Sequence, residues 1–598
     1  MLFGKYLAKY YKKYWALFLI GVVMLIVVDV AQTFIPRFLG RIIDENNELI
    51  ADLAQLGEIV GYVMLCAGIM FAGRFVWRIS IFRASTGIAA GLRKEMFDKA
   101  EKLSSSYYHI TKVGNIMNWF TSDIEEVSDF FGWGTVMIVD ALFLSASCIV
   151  SMVRLNPWLT ILLMIPILLI AVWGLFGDRL FTKRWEQRQA EYDRLYDFAQ
   201  ENFTGIRVIK SFVKQTKEIA AFSKIARKNQ DVNVRYARLN VLFDVVIESV
   251  IILAMTMLLG VGGWMVYATA TGTPSIIFGQ EVKLTAGELM QFVGYVDLII
   301  WPMFALGNII SMRSRAKGSL KRISAFLDTP FDVVNPLDGV KLENAKGDIE
   351  FRDFTFVYPD GTTPALSNIS IHIAPGEHIG IVGKVGSGKT AFVNALFRLY
   401  NVEKGQLFVD GHDIMECDIP SLREVIAYAP QDNFLFSDTI ENNISFSSGA
   451  VDHGKVEEAS SFADVKENIE SFPRGYDTVL GERGVTLSGG QKQRVSIARA
   501  FYKDAPVLVL DDCVSAVDVK TEEIILGNIK RQRAGKTTLL IASRVSSVSQ
   551  MDKILVIEEG RAIAFGPHHD LVKTCPAYAK MVYLQQLERE VEGGGANG

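Results

Sequence analysis

The sequence predicts a two-part chain: an all-α membrane domain of six transmembrane helices with long cytoplasmic helical extensions, then an α/β domain that carries a phosphate-binding loop. Three observations predict it. Nearly all long apolar runs lie before residue 320 of the 598-residue chain. The polar segments 80–131 and 178–240 between those runs hold few Gly or Pro and keep a helix-like composition. Finally, 379–382 is an apolar strand that runs straight into a glycine-rich loop.

Half of the residues are hydrophobic and 21% are charged, which excludes a disordered chain and argues against a soluble enzyme. Sixty-two basic against 66 acidic residues leave a formal charge of −4, so the chain carries no footprint of a nucleic-acid binder. Cys66, Cys148, Cys417, Cys513 and Cys575 have no paired spacing, which argues against a disulfide framework or zinc site.

Six stretches approach the roughly 20 residues that a helix needs to cross hydrocarbon: 15–36, 59–76, 136–153, 158–176, 242–268 and 289–310. Lys5, Lys9, Lys12 and Lys13 precede the first, Arg78, Arg83, Arg93, Lys94, Lys99, Lys102 and Lys112 follow the second, and a basic-rich segment 179–238 follows the fourth. The alternate loops hold Asp44, Glu45, Glu48 and Asp52 against Arg37 and Arg41, then little beyond Arg154 to Pro157, then Lys283 as the last loop's only basic residue. The positive-inside rule therefore predicts a multi-pass protein of the cell membrane, embedded in its lipid bilayer, with both ends of the bundle and the second domain cytoplasmic. The first stretch is long and lacks a small-residue cleavage site, so it is expected to stay as a helix rather than leave as a signal peptide.

The polar segments are too long for turns and are expected to extend the membrane helices into the cytoplasm. Their patterns break at 107–114 and 205–212, the expected tips. Pro330 and Pro336 mark a linker. The resulting domains are 1–320 in the membrane, 321–347 as linker, 348–590 as the nucleotide-binding domain and 591–598 as a flexible tail.

Gly383-Lys384-Val385-Gly386-Ser387-Gly388-Lys389-Thr390 follows a strand and precedes a helix-like stretch, the context that a phosphate-binding P-loop requires. Glycines let backbone N–H groups curl around phosphate oxygens, Lys389 reaches the terminal phosphates and Thr390 offers a hydroxyl to Mg²⁺. Val507 to Leu510 is a continuous apolar run ending in Asp511 and Asp512. Asp511 is the expected Mg²⁺ ligand, and Asp512 would face the water attacking the γ-phosphate. Between these motifs lies Leu487-Ser488-Gly489-Gly490-Gln491, opening a helical segment.

P-loop, Ser-Gly-Gly turn and Asp-terminated strand together resemble the ATP-binding-cassette (ABC) exporters, in the half-transporter arrangement of six membrane helices fused to one cassette. The resemblance spans residues 10–590. It implies ATP and Mg²⁺ as ligands, Tyr358 as the aromatic stacking on adenine, and Gln431 as the glutamine touching Mg²⁺ and the attacking water. By the same resemblance Glu482 contacts the coupling arms, Asp518 is the aspartate of the loop that follows, and Ser488 to Gln491 complete the nucleotide site of a partner cassette.

Two positions at the catalytic end of the nucleotide site depart from the family. Members that hydrolyse ATP at their own P-loop carry Glu after the buried aspartate and His at the switch; this chain has Asp512 and Ser543. Shortening the side chain by one methylene retracts the carboxylate by about 1.5 Å, and a misplacement of ~1 Å can cost on the order of 10²-fold in rate. A serine lacks both the reach and the charge of an imidazole. The expectation is a heterodimer, similar to bacterial heterodimeric multidrug exporters. This chain's site would bind ATP and split it poorly, while its Ser488 turn completes a competent site on a partner with Glu and His. In the first coupling segment Gly114 and Asp123 match the family, but Val113 and Trp119 replace its Thr and Arg.

Asp29, Asp140, Glu248 and Asp297 fall within or near apolar spans, where acids are costly unless they face water, a partner or a ligand. They are candidate contacts for hydrophobic or cationic amphipathic substrates, with Met303 and Phe304 as candidate lining beside a kink at Trp301-Pro302. The alternatives are a lipid exporter acting as a homodimer and an ATP-gated channel or regulator.

Overall fold

The computed structural model describes residues 5–44, 53–273, 276–277, 280–281, 283–481, 484, 487–514 and 517–594. The chain divides into two compact units, Met1–Glu101 with Gly114–Thr329, and Lys102–Val113 with Pro330–Gly598.

Among the described residues the first unit is helical apart from one short antiparallel strand pair, Ile276–Ile277 with Gln280–Glu281. Each predicted apolar stretch lies inside a longer helix or helical run: Ala8–Asp44, Leu53–Ala100, residues 113–155, Pro157–Thr204, Gln215–Thr271 and Ala286–Asp328. Among the described residues five of these are long and apolar enough to cross a membrane, and the apolar start of the other, Pro157–Pro166, is shorter. At 1.5 Å per residue a 48-residue helix such as Leu53–Ala100 is about 70 Å long, over twice the thickness of hydrocarbon; the polar segments are thus continuous extensions of the apolar ones. The chain from 113 to 155 differs, because π-helical turns at Trp119–Asp123, Phe130–Gly134 and Asp140–Leu144 alternate with α-helix.

Close helix contact rests on small residues. A side chain at Gly91 would meet the Tyr10 ring at 2.2 Å, and one at Gly87 the Tyr14 ring at 2.6 Å, so helix Leu53–Ala100 seats the aromatic face of Ala8–Asp44. Asp44 accepts from Thr285 Oγ1 at 2.6 Å and Gly287 N at 2.7 Å, pinning the end of the first helix to the capping box that starts the last.

Two helices run on into segments expected above to be linker and tail. Helix Ala286–Asp328 continues through 321–328, residues assigned above to the linker, because Ile323 and Phe326 are buried and Arg322 Nε donates to Asp123 Oδ2 at 2.7 Å. That ion pair also answers the Trp119 departure: Asp123, 3% exposed, takes its arginine from the last helix, and Trp119 packs on Phe326 at 5.6 Å. Likewise helix Pro576–Gly594 runs through 591–594, part of the expected tail. The last membrane helix is continuous across Pro302; Met303 packs against the hydrophobic cluster of Leu284 and Phe292, and the side chain of Phe304 lies outside the described residues.

Among the described residues the second unit holds two sheets. The larger orders its strands Arg561–Gly566, Lys553–Glu558, His378–Val382, Thr537–Ile541, Val507–Asp511, Ile426–Ala429; the first pair is antiparallel and the rest are parallel. The smaller is antiparallel, Leu366–Ile373, Ile349–Phe356, Leu407–Val409, His412–Asp413. Central strands buried on both faces read as unbroken apolar runs, and Val507–Asp511 and Thr537–Ile541 are buried at every position. The predicted tip at 107–114 contains helix Ser105–Ile110, which belongs to this unit: Ser106 Oγ donates to Asp332 Oδ2 at 3.1 Å and the His109 ring lies 6.3 Å from Tyr400. The other tip, helix Ile206–Ser211, buries no residue.

Candidate nucleotide site

Three parallel strands deliver the candidate residues to one edge. Ile381 pairs with Ile541, and Ile541 with Asp511, so Val382, Ala542 and Asp512 lie level where the strands end, and Gly383 opens its loop one residue further on. Backbone bonds bind these exits: Asp512 N donates to Ile541 O at 2.9 Å, and Ala542 N to Ile381 O at 3.2 Å. Crevices outside the carboxyl ends of parallel strands are where α/β sheets bind ligands.

The loop 383–390 is shaped by its glycines. Gly386 and Gly388 have φ of +81° and +102°, a region that side chains disfavour, and a Cβ at Gly388 would also lie 2.6 Å from Ala365 O. Helix Lys389–Leu396 starts at Gly388 and aims its free N–H groups into the loop. Lys389 Nζ donates to Gly383 O at 2.8 Å and Lys384 O at 2.9 Å. Half-burial pulls its pKa below the ordinary lysine value, opposed by the charges of Asp512 and Asp511. Ser387 is 4% exposed and its Oγ has no hydrogen-bond partner, an unmet buried hydroxyl turned into a cradle of N–H groups. Lys384 pairs with Glu558 at 2.9 Å, while Val385 and Thr390 are exposed. This donor-rich, glycine-lined cradle beside a lysine fits a polyphosphate.

Asp511 is 2% exposed. Burial pushes its carboxyl above the ordinary range, a rise that Tyr428 and Lys389 oppose; the Tyr428 hydroxyl donates to Oδ2 at 3.3 Å. Sequence reasoning did not single out Tyr428. Its place on the adjacent strand, level with Val509, depends on strand order, which motifs do not report. Asp512 has φ +47°, a left-handed backbone that Asp and Asn accept more readily than most residues. Ser543 Oγ donates to Asp512 Oδ1 at 3.3 Å. The Ser543 loop is bracketed by Gln585 of the C-terminal helix, which accepts from Val545 N at 2.6 Å and donates to Ser543 O at 3.1 Å, a support with no sequence signal.

The structure thus brings Lys389, Asp511, Asp512 and Ser543 together. Gln431 stands apart: it is exposed, and its backbone carbonyl rather than its amide takes the hydrogen bond, from Asn433 Nδ2 at 3.3 Å. Tyr358 packs edge-on against Phe356 at 4.9 Å and Tyr400 at 5.3 Å, and its hydroxyl bonds Asn394 of the P-loop helix. Ser488 caps helix Gly489–Tyr502, with Gln491 N donating to its Oγ at 3.2 Å and Ser488 N donating to Gln491 Oε1 at 3.0 Å. Gly489 is exposed with nothing within 4 Å of a would-be Cβ, so this chain's packing does not demand its lack of a side chain; Gly490 follows in the first turn. Asp518 caps helix Val519–Gln532, and the Thr521 N–H holds its carboxyl below the ordinary range. Glu482 lies outside the described residues.

A helical membrane unit joined to a P-loop cassette with a Ser-Gly-Gly helix cap defines an ATP-driven membrane transporter. The chain belongs to the ABC transporters: residues 18–280 match the ABC transporter transmembrane region and 366–515 the ABC transporter family. It is 32% identical over 99% of its length to the "Probable multidrug resistance ABC transporter ATP-binding/permease protein YheI" of Bacillus subtilis, covering 99% of that protein. It is also 32% identical to the "Multidrug resistance-like ATP-binding protein MdlA" of Escherichia coli, over 99% of this chain and 98% of that one. A bacterial Atm1-family ABC exporter solved with ATP bound shares the fold, with TM-score 0.75 and 24% identity over 95% of this chain and 98% of its own. The chain is therefore a multi-pass membrane protein of the ABC exporter type, with an ATPase coupled to transport.

Proposed function

We propose that this chain is the weakly hydrolysing half of a heterodimeric exporter that moves hydrophobic or cationic amphipathic compounds, multiple drugs among them, out of the cell. The observation that carries the reading is the Ser543 to Asp512 hydrogen bond, which joins the two short side chains where hydrolysis needs a long carboxylate and an imidazole.

The P-loop supports tight binding. Phosphate oxygens would take the N–H groups of Gly383 to Thr390, fill the unmet valence of Ser387 Oγ and draw Lys389 from the carbonyls of Gly383 and Lys384. Mg²⁺, when bound, would be held by Thr390, Asp511 and Gln431 and would neutralise phosphate charge. Tyr358, fixed by Asn394 to the P-loop helix, is positioned to offer its remaining face to adenine. Activation of water is the weak step, because Asp512 ends about 1.5 Å short of a glutamate and Ser543 brings no positive charge.

The Ser488 turn supports the second half of the reading. It presents a capped 14-residue helix whose N-terminus favours an anion, and Gly489 leaves its approach open, as a nucleotide held by a partner cassette would require. The exposed tip Ile206–Ser211 is likewise ready for a surface that is not its own. The relatives' multidrug character supports drug-like cargo, and the basic loops support a cytoplasmic cassette at the cell membrane. Exposed Glu248 and Asp297 are the acids able to meet a cationic substrate. Asp512→Asn in the assembled transporter tests the proposal: most of the ATPase should survive, and loss of nearly all of it would contradict a site that is already weak.

A further inference from the structure

The loop after strand Thr537–Ile541 is held from two sides. On one side stands Gln585 of the C-terminal helix Pro576–Gly594: its Oε1 accepts from Val545 N at 2.6 Å, and its Nε2 donates to Ser543 O at 3.1 Å. On the other stands Glu522 of helix Val519–Gln532, 6% exposed; its Oε1 accepts from Ser547 Oγ, and its Oε2 lies 3.6 Å from Arg544 Nη1. These two side chains thus hold Ser543, Arg544, Val545 and Ser547, and the short helix Val545–Val548 finds the partner for its first N–H in Gln585.

Glutamine is the side chain of this length whose end can do this. One amide accepts from an N–H and donates to a C=O at once, whereas a carboxylate only accepts and a thioether is a weak acceptor without a donor. Packing does not replace the hold, because a crevice of about 270 Å³ lined by Glu522, Val545, Gln585 and His568 opens between these helices. The residue whose carbonyl Gln585 binds also sends its hydroxyl to Asp512 Oδ1 at 3.3 Å, and Asp512 lies level with Val382, just before the P-loop. A hydrogen bond already at that length is lost if the loop shifts by about 1 Å.

We propose that Gln585 is a positioning residue of the nucleotide site: by fixing the Ser543 carbonyl it keeps the Ser543 hydroxyl and Asp512 together at the γ-phosphate end, and so sets how far this site prefers ATP to ADP. ADP ends one phosphate short of that pair and does not sense it. The C-terminal helix is thereby a lever on the terminal phosphate. This role rests on the nucleotide site proposed above, with Asp512 facing the γ-phosphate, and stands apart from the heterodimer and the cargo.

Titration calorimetry of the full-length chain in lipid nanodiscs with Mg²⁺ tests the role, using ADP and the β,γ-imido analogue of ATP, which keeps the terminal phosphate and resists hydrolysis. Gln585→Met keeps the length of the side chain and loses both hydrogen bonds. Its affinity for the analogue should fall about three- to tenfold, while its ADP affinity and melting temperature should change little. Gln585→Glu keeps the bond from Val545 N but cannot donate to Ser543 O; it should show the same split, and it serves where the methionine variant does not fold. Equal losses for the two nucleotides overturn the proposal, because a merely structural support would give them, and so does an unchanged analogue affinity. A wild-type chain that binds neither nucleotide removes the site and this role together, whereas wild-type binding of both, matched by the variants, removes the role alone.

Discussion

The Ser543 hydroxyl donates to Asp512 Oδ1 across 3.3 Å, so the two positions at which this chain departs from hydrolysing cassettes form one bonded pair. Residues in contact respond to substitution jointly rather than additively. Asp512→Glu lengthens the carboxylate but places a side chain less suited than Asp on a backbone at φ +47°; Ser543→His alone sets an imidazole beside a carboxylate that is still short. Single-turnover hydrolysis at this site should rise hardly at all in each single variant and by on the order of 10²-fold in the double. Additive effects of the two changes would refute the coupling.

Ser488 and Asp512 should differ in whose site they serve. Ser488→Ala removes a helix cap, at a cost of about 1 kcal/mol, too little to unfold the domain. In the assembled transporter it should cut ATPase activity severely, whereas Asp512→Asn should cut it little. Equal losses in steady-state ATPase assays would contradict the division of labour.

The third prediction concerns pH. With Asp511 as the proposed Mg²⁺ ligand, the ion would need its ionised form, whose pKa burial raises while the Tyr428 hydrogen bond opposes the rise. Protonation therefore begins at a higher pH than for an ordinary aspartate, and Mg·ATP affinity should fall as pH drops through that raised value. Tyr428→Phe removes the donor, so the fall should begin at higher pH still. Titration of nucleotide affinity against pH in both proteins checks the direction, and a midpoint that stays put or moves down would count against it.

Much of this was legible before any coordinates, for physical reasons. The strand 349–356 and the run 507–510 were readable because alternation and full burial leave opposite sequence signatures, and the P-loop because its glycines and lysine sit at fixed offsets. Local order hid the rest. Arg322 reaches Asp123 from 199 positions away, Tyr428 meets Asp511 only through strand adjacency, and Gln585 brackets the Ser543 loop from the C-terminal helix. None of these follows a spacing rule. Pro330 and Pro336 advertise a break in the sequence, whereas the burial of Ile323 and Phe326 that carries the helix to Asp328 depends on neighbours distant in sequence. Four intramembrane acids looked alike as letters, and only packing separated buried Asp29 and Asp140 from exposed Glu248 and Asp297.

The most direct measurement purifies this chain alone and follows bound nucleotide and phosphate release together. The account predicts that ATP stays bound, intact, on the P-loop with negligible turnover, and that brisk hydrolysis appears only after a partner cassette bearing Glu and His is added. Rapid steady-state hydrolysis by the solitary chain, abolished by Asp512→Asn, would contradict it.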